Sequence, residues 1–126
     1  MNNLEIPKTK TSPEIKFNIS THELSIKGES FPENTSEFYA PVFEWLEEYL
    51  ASVTDQTIIV NIELMYFNSS SSKVLMDLFD MLEESVKEGK NITVHWRYDE
   101  ENEMAVEYGE DFMEDIVSLP FHLVKI

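Results

Sequence analysis

The chain reads TIIVNIELMYFNSSSSKVLMDLFDMLEESVKEG from residue 57 to residue 89, and this segment has the clearest strand and helix periodicity in the sequence. Its first part alternates apolar with polar side chains, which predicts a β-strand over 57–64 with one buried face. Its second part has apolar residues at helical spacing from Leu75 to Val86, and Gly89 predicts a left-handed end to that helix. A strand followed by a helix predicts one unit of a parallel sheet.

Upstream of this unit, the same periodicities predict a hairpin and a first helix. These elements fall at 15–19, 24–27 and about 35–53. Asn34 precedes Glu37 by three residues, which is the spacing of a capping box. Pro41 leaves two interpretations open: the helix kinks there, or residues 34–39 form a separate turn and Pro41 is the first helical residue.

Downstream of the unit, a strand, an acidic segment with helical apolar spacing and a last short strand complete the pattern. They fall at 92–96, 99–117 and 121–126. Gly109 predicts a break in the acidic segment, and an additional N-terminal strand near Leu4–Ile6 also fits the pattern. The predicted order is β-β-α-β-α-β-α-β, with strand-helix-strand units joined by right-handed crossovers.

Nearly every predicted strand alternates apolar with polar residues, whereas strands covered on both faces are apolar throughout. Helices are therefore expected on one face only. The fold class is α/β, with two layers: a mixed sheet and helices on one side of it. With 126 residues, 3 Gly and 5 Pro, the sequence shows no linker, so residues 1–126 are expected to form one domain.

Composition excludes several classes of function. The chain contains nine Lys and Arg and 25 Asp and Glu, which gives a net charge of −16 at pH 7. Such a chain repels phosphate backbones and anionic lipids, so neither nucleic acid nor a membrane is an expected partner. Without cysteine, the chain cannot form disulfides or thiolate metal sites. No apolar run has the length of a signal peptide or of a membrane span, so we expect a cytoplasmic protein.

The serine run lies where a parallel strand ends and a helix begins, which is where open α/β sheets tend to place their sites. A serine hydroxyl near this helix start is expected to accept a hydrogen bond from a free backbone N–H. A phosphate there would add about −1.5 to −2 charge, which the positive end of the helix tolerates. A partner docked over the same turn would be repelled, so the position suits a phosphorylation switch. A turn whose serines only cap the helix is the alternative.

Several segments of the chain together resemble one protein family. They are Thr11–Ile15, Phe31–Asn34, Trp45–Tyr49, Tyr66–Lys73, the strand with His95 and Trp96 and its acidic continuation, and Gly109–Phe112. The most specific of them is Tyr66–Lys73, which reads YFNSSSSK. On these segments the chain resembles the SiaC family of bacterial regulatory phosphoproteins over nearly its whole length.

The resemblance implies a fold similar to STAS domains and anti-sigma factor antagonists, with a phosphorylatable Ser or Thr at this junction. It implies a partner switch without enzymatic activity or cofactor of its own. A Ser/Thr kinase would phosphorylate the domain, and a PP2C-like phosphatase would restore it. The unphosphorylated form would bind a downstream target, such as a diguanylate cyclase in cyclic-di-GMP signalling and biofilm regulation.

The family's phosphoacceptor threonine falls on Ser69, and the neighbouring Ser70 is the alternative acceptor. The other residues expected at the switch or its docking surface are Tyr66, Phe67, Asn68, Ser70, Ser71, Ser72, Lys73, Pro32, Glu33 and Asn34. Asn68 and the three later serines are expected to shape the helix start, and Lys73 to tune its charge by meeting a phosphate or a partner carboxylate. Tyr66 and Phe67 fit the edge of the docking surface or the core equally well.

Two other functions compete with the switch. Ser70 and Lys73 match the S-x-x-K pattern of some serine hydrolases, but the Ser-Asp-Asn and Lys-Thr-Gly partners of that pattern are missing. The second competing function is a constitutive acidic adaptor that is never phosphorylated. Nine acids lie within residues 99–115. These acids lack the spacing of a calcium loop, so a solvated helix face is expected there and no metal site.

Overall fold

The computed structural model describes residues 1–126 and contains six strands and three helices. In chain order they are β1 (Leu4–Ile6), β2 (Glu14–Asn18), β3 (Glu23–Ser30), α1 (Thr35–Ser52), β4 (Thr57–Phe67), α2 (Ser69–Lys87), β5 (Asn91–Tyr98), α3 (Glu103–Asp115) and β6 (Phe121–Lys125). The predicted element order is confirmed, including the additional strand β1.

The six strands form one sheet in the order β1-β2-β3-β4-β5-β6. The first three strands pair antiparallel, and β3 to β6 pair parallel. Each parallel pair is joined through one helix, as the strand-helix-strand pattern predicts. The mixed sheet with helices on one face, predicted from the alternation, is confirmed.

The inward side chains of the strands and the apolar faces of the helices form the core. The largest fully buried side chains include Trp96, Tyr49, Phe17 and Ile62. The opposite face of the sheet carries polar residues instead, and there Glu63 pairs with Lys27 at 3.7 Å and with Arg97 at 3.0 Å. No helix is long and apolar enough to cross a membrane.

One of the two interpretations of Pro41 is wrong, and so is the break predicted at Gly109. Helix α1 runs unbroken through Pro41, so a separate turn over 34–39 is wrong; the Asn34 side chain caps the helix by accepting from the Glu37 N–H at 3.1 Å. Helix α3 likewise runs unbroken through Gly109. A Cβ on Gly109 would lie 2.6 Å from the indole of Trp96, so this glycine allows close packing and does not end the helix.

The end of α2 follows the sequence prediction. Gly89 has a φ of +103°, and its N–H donates to the carbonyl of Val86 at 2.9 Å. The Lys90 N–H reaches back to the carbonyl of Ser85 at 3.0 Å. These two bonds form a Schellman motif, which ends the helix at a glycine.

All three helices begin with an asparagine cap, at Asn34, Asn68 and Asn102. In each, the side-chain oxygen accepts from the N–H three residues later. The caps are 34 residues apart in the chain. Each helix follows the carboxyl end of a parallel strand, β3, β4 or β5. All three helix starts therefore lie at the same end of the strands.

Candidate functional site

The serine run forms the first turn of α2, directly after β4. The side chain of Asn68 caps the helix by accepting from the N–H of Ser71 at 2.9 Å. The expectation that a serine hydroxyl caps this helix is therefore wrong, because an asparagine amide does so. Ser69 and Ser70, the first two helical residues, are exposed, and neither hydroxyl has a hydrogen-bond partner within the chain.

Ser71 is the opposite case, since none of its surface is exposed. Its Oγ lies 2.7 Å from the Oγ of Ser30, which in turn lies 2.7 Å from the hydroxyl of Tyr39. The backbone N–H of Asn68 also donates to the carbonyl of Ser30 at 3.1 Å. This chain of hydroxyl hydrogen bonds, Ser71–Ser30–Tyr39, links the first turn of α2 to the end of β3 and to α1.

Burial raises the pKa of Tyr39 to about 12, although its hydrogen bond with Ser30 opposes the shift. The phenol therefore stays neutral at physiological pH and keeps its proton for hydrogen bonding. Neither Ser30 nor Tyr39 was predicted from the sequence as part of this site. A signal for Ser30 was present, because it continues the inward phase of Leu24 and Ile26 along β3.

An open groove of about 1100 Å³ lies between the first turns of α1 and α2. Its lining residues are Glu33, Asn34, Thr35, Ser36, Glu37, Phe38, Ser70, Lys73, Val74 and Asp77. The structure thus brings together the loop before α1 and the serine run, two segments that the sequence could only suggest as neighbours. Ser72 is half-buried behind this turn, and Lys73 is exposed.

The two aromatic residues before the serine run have different environments. Tyr66 is 46% exposed and meets the ring of Phe31 edge to face, with centroids 5.6 Å apart. Phe67 is buried and packs against Trp96 and Tyr108, so of its two predicted placements the core is confirmed and the docking surface is wrong. Pro32 is half-buried beside Glu33, which is exposed. Tyr66 is therefore the exposed one of the two aromatic residues before the serine run, and it packs against the half-buried Phe31.

The structure offers little for hydrolytic or metal chemistry at this site. The Ser70 hydroxyl has no hydrogen bond to Lys73, which the S-x-x-K pattern would need as the activating base. No group of three or more His, Asp or Glu side chains converges as metal ligands. What the geometry does provide is two exposed serine hydroxyls at the start of α2, and the second of them, that of Ser70, lines the open groove.

Comparison with known proteins finds a family model and a relative that match nearly the whole chain. The family model described as SiaC family regulatory phosphoprotein matches residues 6–126. An uncharacterised protein of Pseudomonas aeruginosa is 38% identical over 121 residues, which cover 96% of this chain and 94% of the relative.

Solved structures of SiaC from Pseudomonas aeruginosa have the same fold. The apo structure is 36% identical with a TM-score of 0.91, covering 98% of this chain and 99% of the other. A complex of the diguanylate cyclase SiaD with its activator SiaC, from the same organism, gives the same identity, TM-score and coverage. The chain belongs to the SiaC family of regulatory phosphoproteins.

Proposed function

We propose that this protein is a phosphorylation-controlled partner switch without catalytic activity of its own, and that Ser69 is the phosphoacceptor. The observation that carries the proposal is the exposed hydroxyl of Ser69 at the first position of α2. Asn68 caps the helix and Ser71 links it to β3, whereas the Ser69 side chain forms no hydrogen bond within the chain. A phosphate on Ser69 would therefore break no interaction of the fold. Ser70 shares the exposure and is the alternative acceptor.

In the proposed cycle, a Ser/Thr kinase transfers the γ-phosphoryl group of ATP to the Oγ of Ser69. A new P–O bond forms, ADP leaves, and the hydroxyl proton passes to a kinase base or to water. A PP2C-like phosphatase directs water onto the phosphoserine and releases inorganic phosphate. Because this cycle consumes ATP, the switch operates in the cytoplasm.

The target of the unphosphorylated form is proposed to be a diguanylate cyclase. Support comes from the SiaC relative, which is the activator in a complex with the cyclase SiaD. Tyr66, three residues before Ser69 in the chain, is exposed and packs against Phe31, and aromatic residues are frequent anchors of protein interfaces. A phosphate on Ser69 adds about −1.5 to −2 charge at this surface and repels a docked partner.

Mass spectrometry of the intact protein tests the acceptor. Wild type, Ser69→Ala and Ser70→Ala are produced in the native cell and weighed under several growth conditions. We expect a phosphorylated fraction in wild type and Ser70→Ala and none in Ser69→Ala. Phosphorylation of Ser69→Ala at the wild-type level would refute Ser69 as acceptor, and a single unmodified mass under all conditions would favour a constitutive adaptor.

Binding to SiaD of Pseudomonas aeruginosa tests the target, with SiaC from that organism as positive control. Ser69→Asp is expected to weaken binding because it places a negative charge at the docking surface. Ser20→Asp is the matched control, since Ser20 is exposed in the β2–β3 turn, at the opposite end of β3. Equal weakening by both variants would show a general charge effect and contradict the proposed docking surface.

A further inference from the structure

Lys73 is a cation without an ionic partner in a very acidic protein. The five ion pairs of the chain use Lys16, Lys27, Lys87, Arg97 and Lys125. Lys90 is also occupied, since its ammonium group donates to the carbonyl of Val53. Lys8 and Lys10 form no ion pair either, but they lie between β1 and β2, so Lys73 is the unpaired cation of α2. Lys73 is exposed in the groove, and although Glu33, Glu37 and Asp77 also line it, none of them forms an ion pair with Lys73. Its ammonium group is free to meet another molecule.

Lys73 lies close to the proposed phosphoacceptor Ser69 on the surface of α2. The two residues are four apart in α2, so their side chains are neighbours on one face of the helix. An acidic group four residues before a lysine forms the more favourable of the two orientations. Asp77 stands four residues after Lys73, in the less favourable orientation. A phosphate on Ser69 therefore competes well for Lys73.

We infer that Lys73 is the residue through which phosphorylation acts on target binding. In the unmodified protein, Lys73 pairs with a carboxylate of the target. After phosphorylation, the phosphate on Ser69 holds Lys73 within the helix and withdraws it from the target. This inference rests on the proposed function.

The competition favours the phosphate for two reasons. The phosphate and Lys73 are held at a fixed spacing in one helix, so their pairing is intramolecular and has a high effective concentration. The phosphate also carries more charge than a single carboxylate. The target then loses one favourable contact and meets an added negative charge, so a single modification weakens binding in two ways.

The pairing within the helix can be tested without any partner or kinase. Phosphoserine is installed at position 69 during translation, and ³¹P NMR follows its second ionisation in wild type, Lys73→Met and Lys73→Arg. The second pKa of the phosphoserine is expected to be roughly 0.3 unit lower in wild type and Lys73→Arg than in Lys73→Met, the size that an exposed helical ion pair permits. Lys87→Met removes the same charge at the far end of α2 and should leave that pKa at the wild-type value. Equal values in wild type and Lys73→Met would overturn the pairing.

The contact with the target is tested by the affinity for SiaD of Pseudomonas aeruginosa. Unmodified Lys73→Met is expected to bind roughly three- to tenfold more weakly than wild type, while Lys73→Arg and Lys87→Met bind within about twofold of it. Phosphoserine at position 69 should also weaken Lys73→Met by a smaller factor than it weakens wild type. Unchanged affinity of Lys73→Met, or no binding by the wild-type chain, would overturn the target contact.

The two proposals fail separately. Absence of phosphate on Ser69 in the native cell refutes the proposed acceptor, but the NMR result stands because the phosphoserine is installed during translation. An unchanged pKa in Lys73→Met refutes the role of Lys73, although Ser69 would remain a valid acceptor.

Discussion

Replacing Gly109 by Ala is expected to destabilise this protein, although alanine is the better helix former. Gly109 lies inside α3 and is buried against the sheet. An added Cβ would lie 2.6 Å from two atoms of the Trp96 indole and 3.0 Å from a methyl group of Leu123. To restore an ordinary contact of 3.4 Å, the indole must move by about 0.8 Å.

The indole has little freedom to move. Trp96 is 1% exposed and packs against the rings of Phe67, Phe112 and Phe121, and its Nε1 donates to the carbonyl of Ala105 at 2.9 Å. Overpacking a core costs about 1–3 kcal/mol, and a lost hydrogen bond costs about 1 kcal/mol. The gain in helix propensity is at most about 1 kcal/mol. The clash therefore outweighs the propensity, and we expect a net loss of about 1–3 kcal/mol.

Urea unfolding followed by circular dichroism measures this loss. A loss of about 2 kcal/mol should lower the midpoint by roughly 1 M, given the usual dependence on urea of about 1–3 kcal/mol per M. Trp96→Phe provides a second background with a smaller ring, in which Gly109→Ala should cost less than in wild type. An unchanged or raised midpoint for Gly109→Ala would refute the close-packing explanation, and so would an equal cost in both backgrounds.

Two further predictions concern the serine run and the turn before β6. Ser71→Ala is expected to cost about 1–3 kcal/mol because Ser30 loses a buried partner, whereas Ser69→Ala stays within about 0.5 kcal/mol; equal costs in urea unfolding would contradict the different duties of these serines. The carboxylate of Glu83 accepts hydrogen bonds from the N–H groups of 117–119; burial by itself raises its pKa, but these bonds and nearby Lys87 outweigh that effect and hold the pKa below its usual value. A lowered pKa in the folded state stabilises the protein above the ordinary glutamate pKa, and this stabilisation is lost as the pH falls through the lowered value. Glu83→Gln should therefore be less stable than wild type at neutral pH and equally stable in acid, and a difference that does not vary with pH would contradict this reasoning.

Much of the fold was predictable because its signals are local. Alternation in β4, helical spacing in α2 and the glycine at its end each depend on neighbouring residues in the chain. The same signals predicted helices on one face, since only strands with one polar face alternate. The break expected at Gly109 was wrong because a glycine in a helical segment can either end the helix or allow close packing within it. Only the position of Trp96 shows that this one permits close packing.

The order of the elements, the helix start at the serine run and the strong negative charge all follow from local features of the amino-acid sequence. It could not decide which serine faces water, because four consecutive helical residues point in four directions and any of them can face the core. The tertiary structure decided this by placing Ser30 and Tyr39 beneath the turn, which buries Ser71 and leaves Ser69 outside. Those partners lie 41 and 32 residues from Ser71 in the chain, so only folding brings them together.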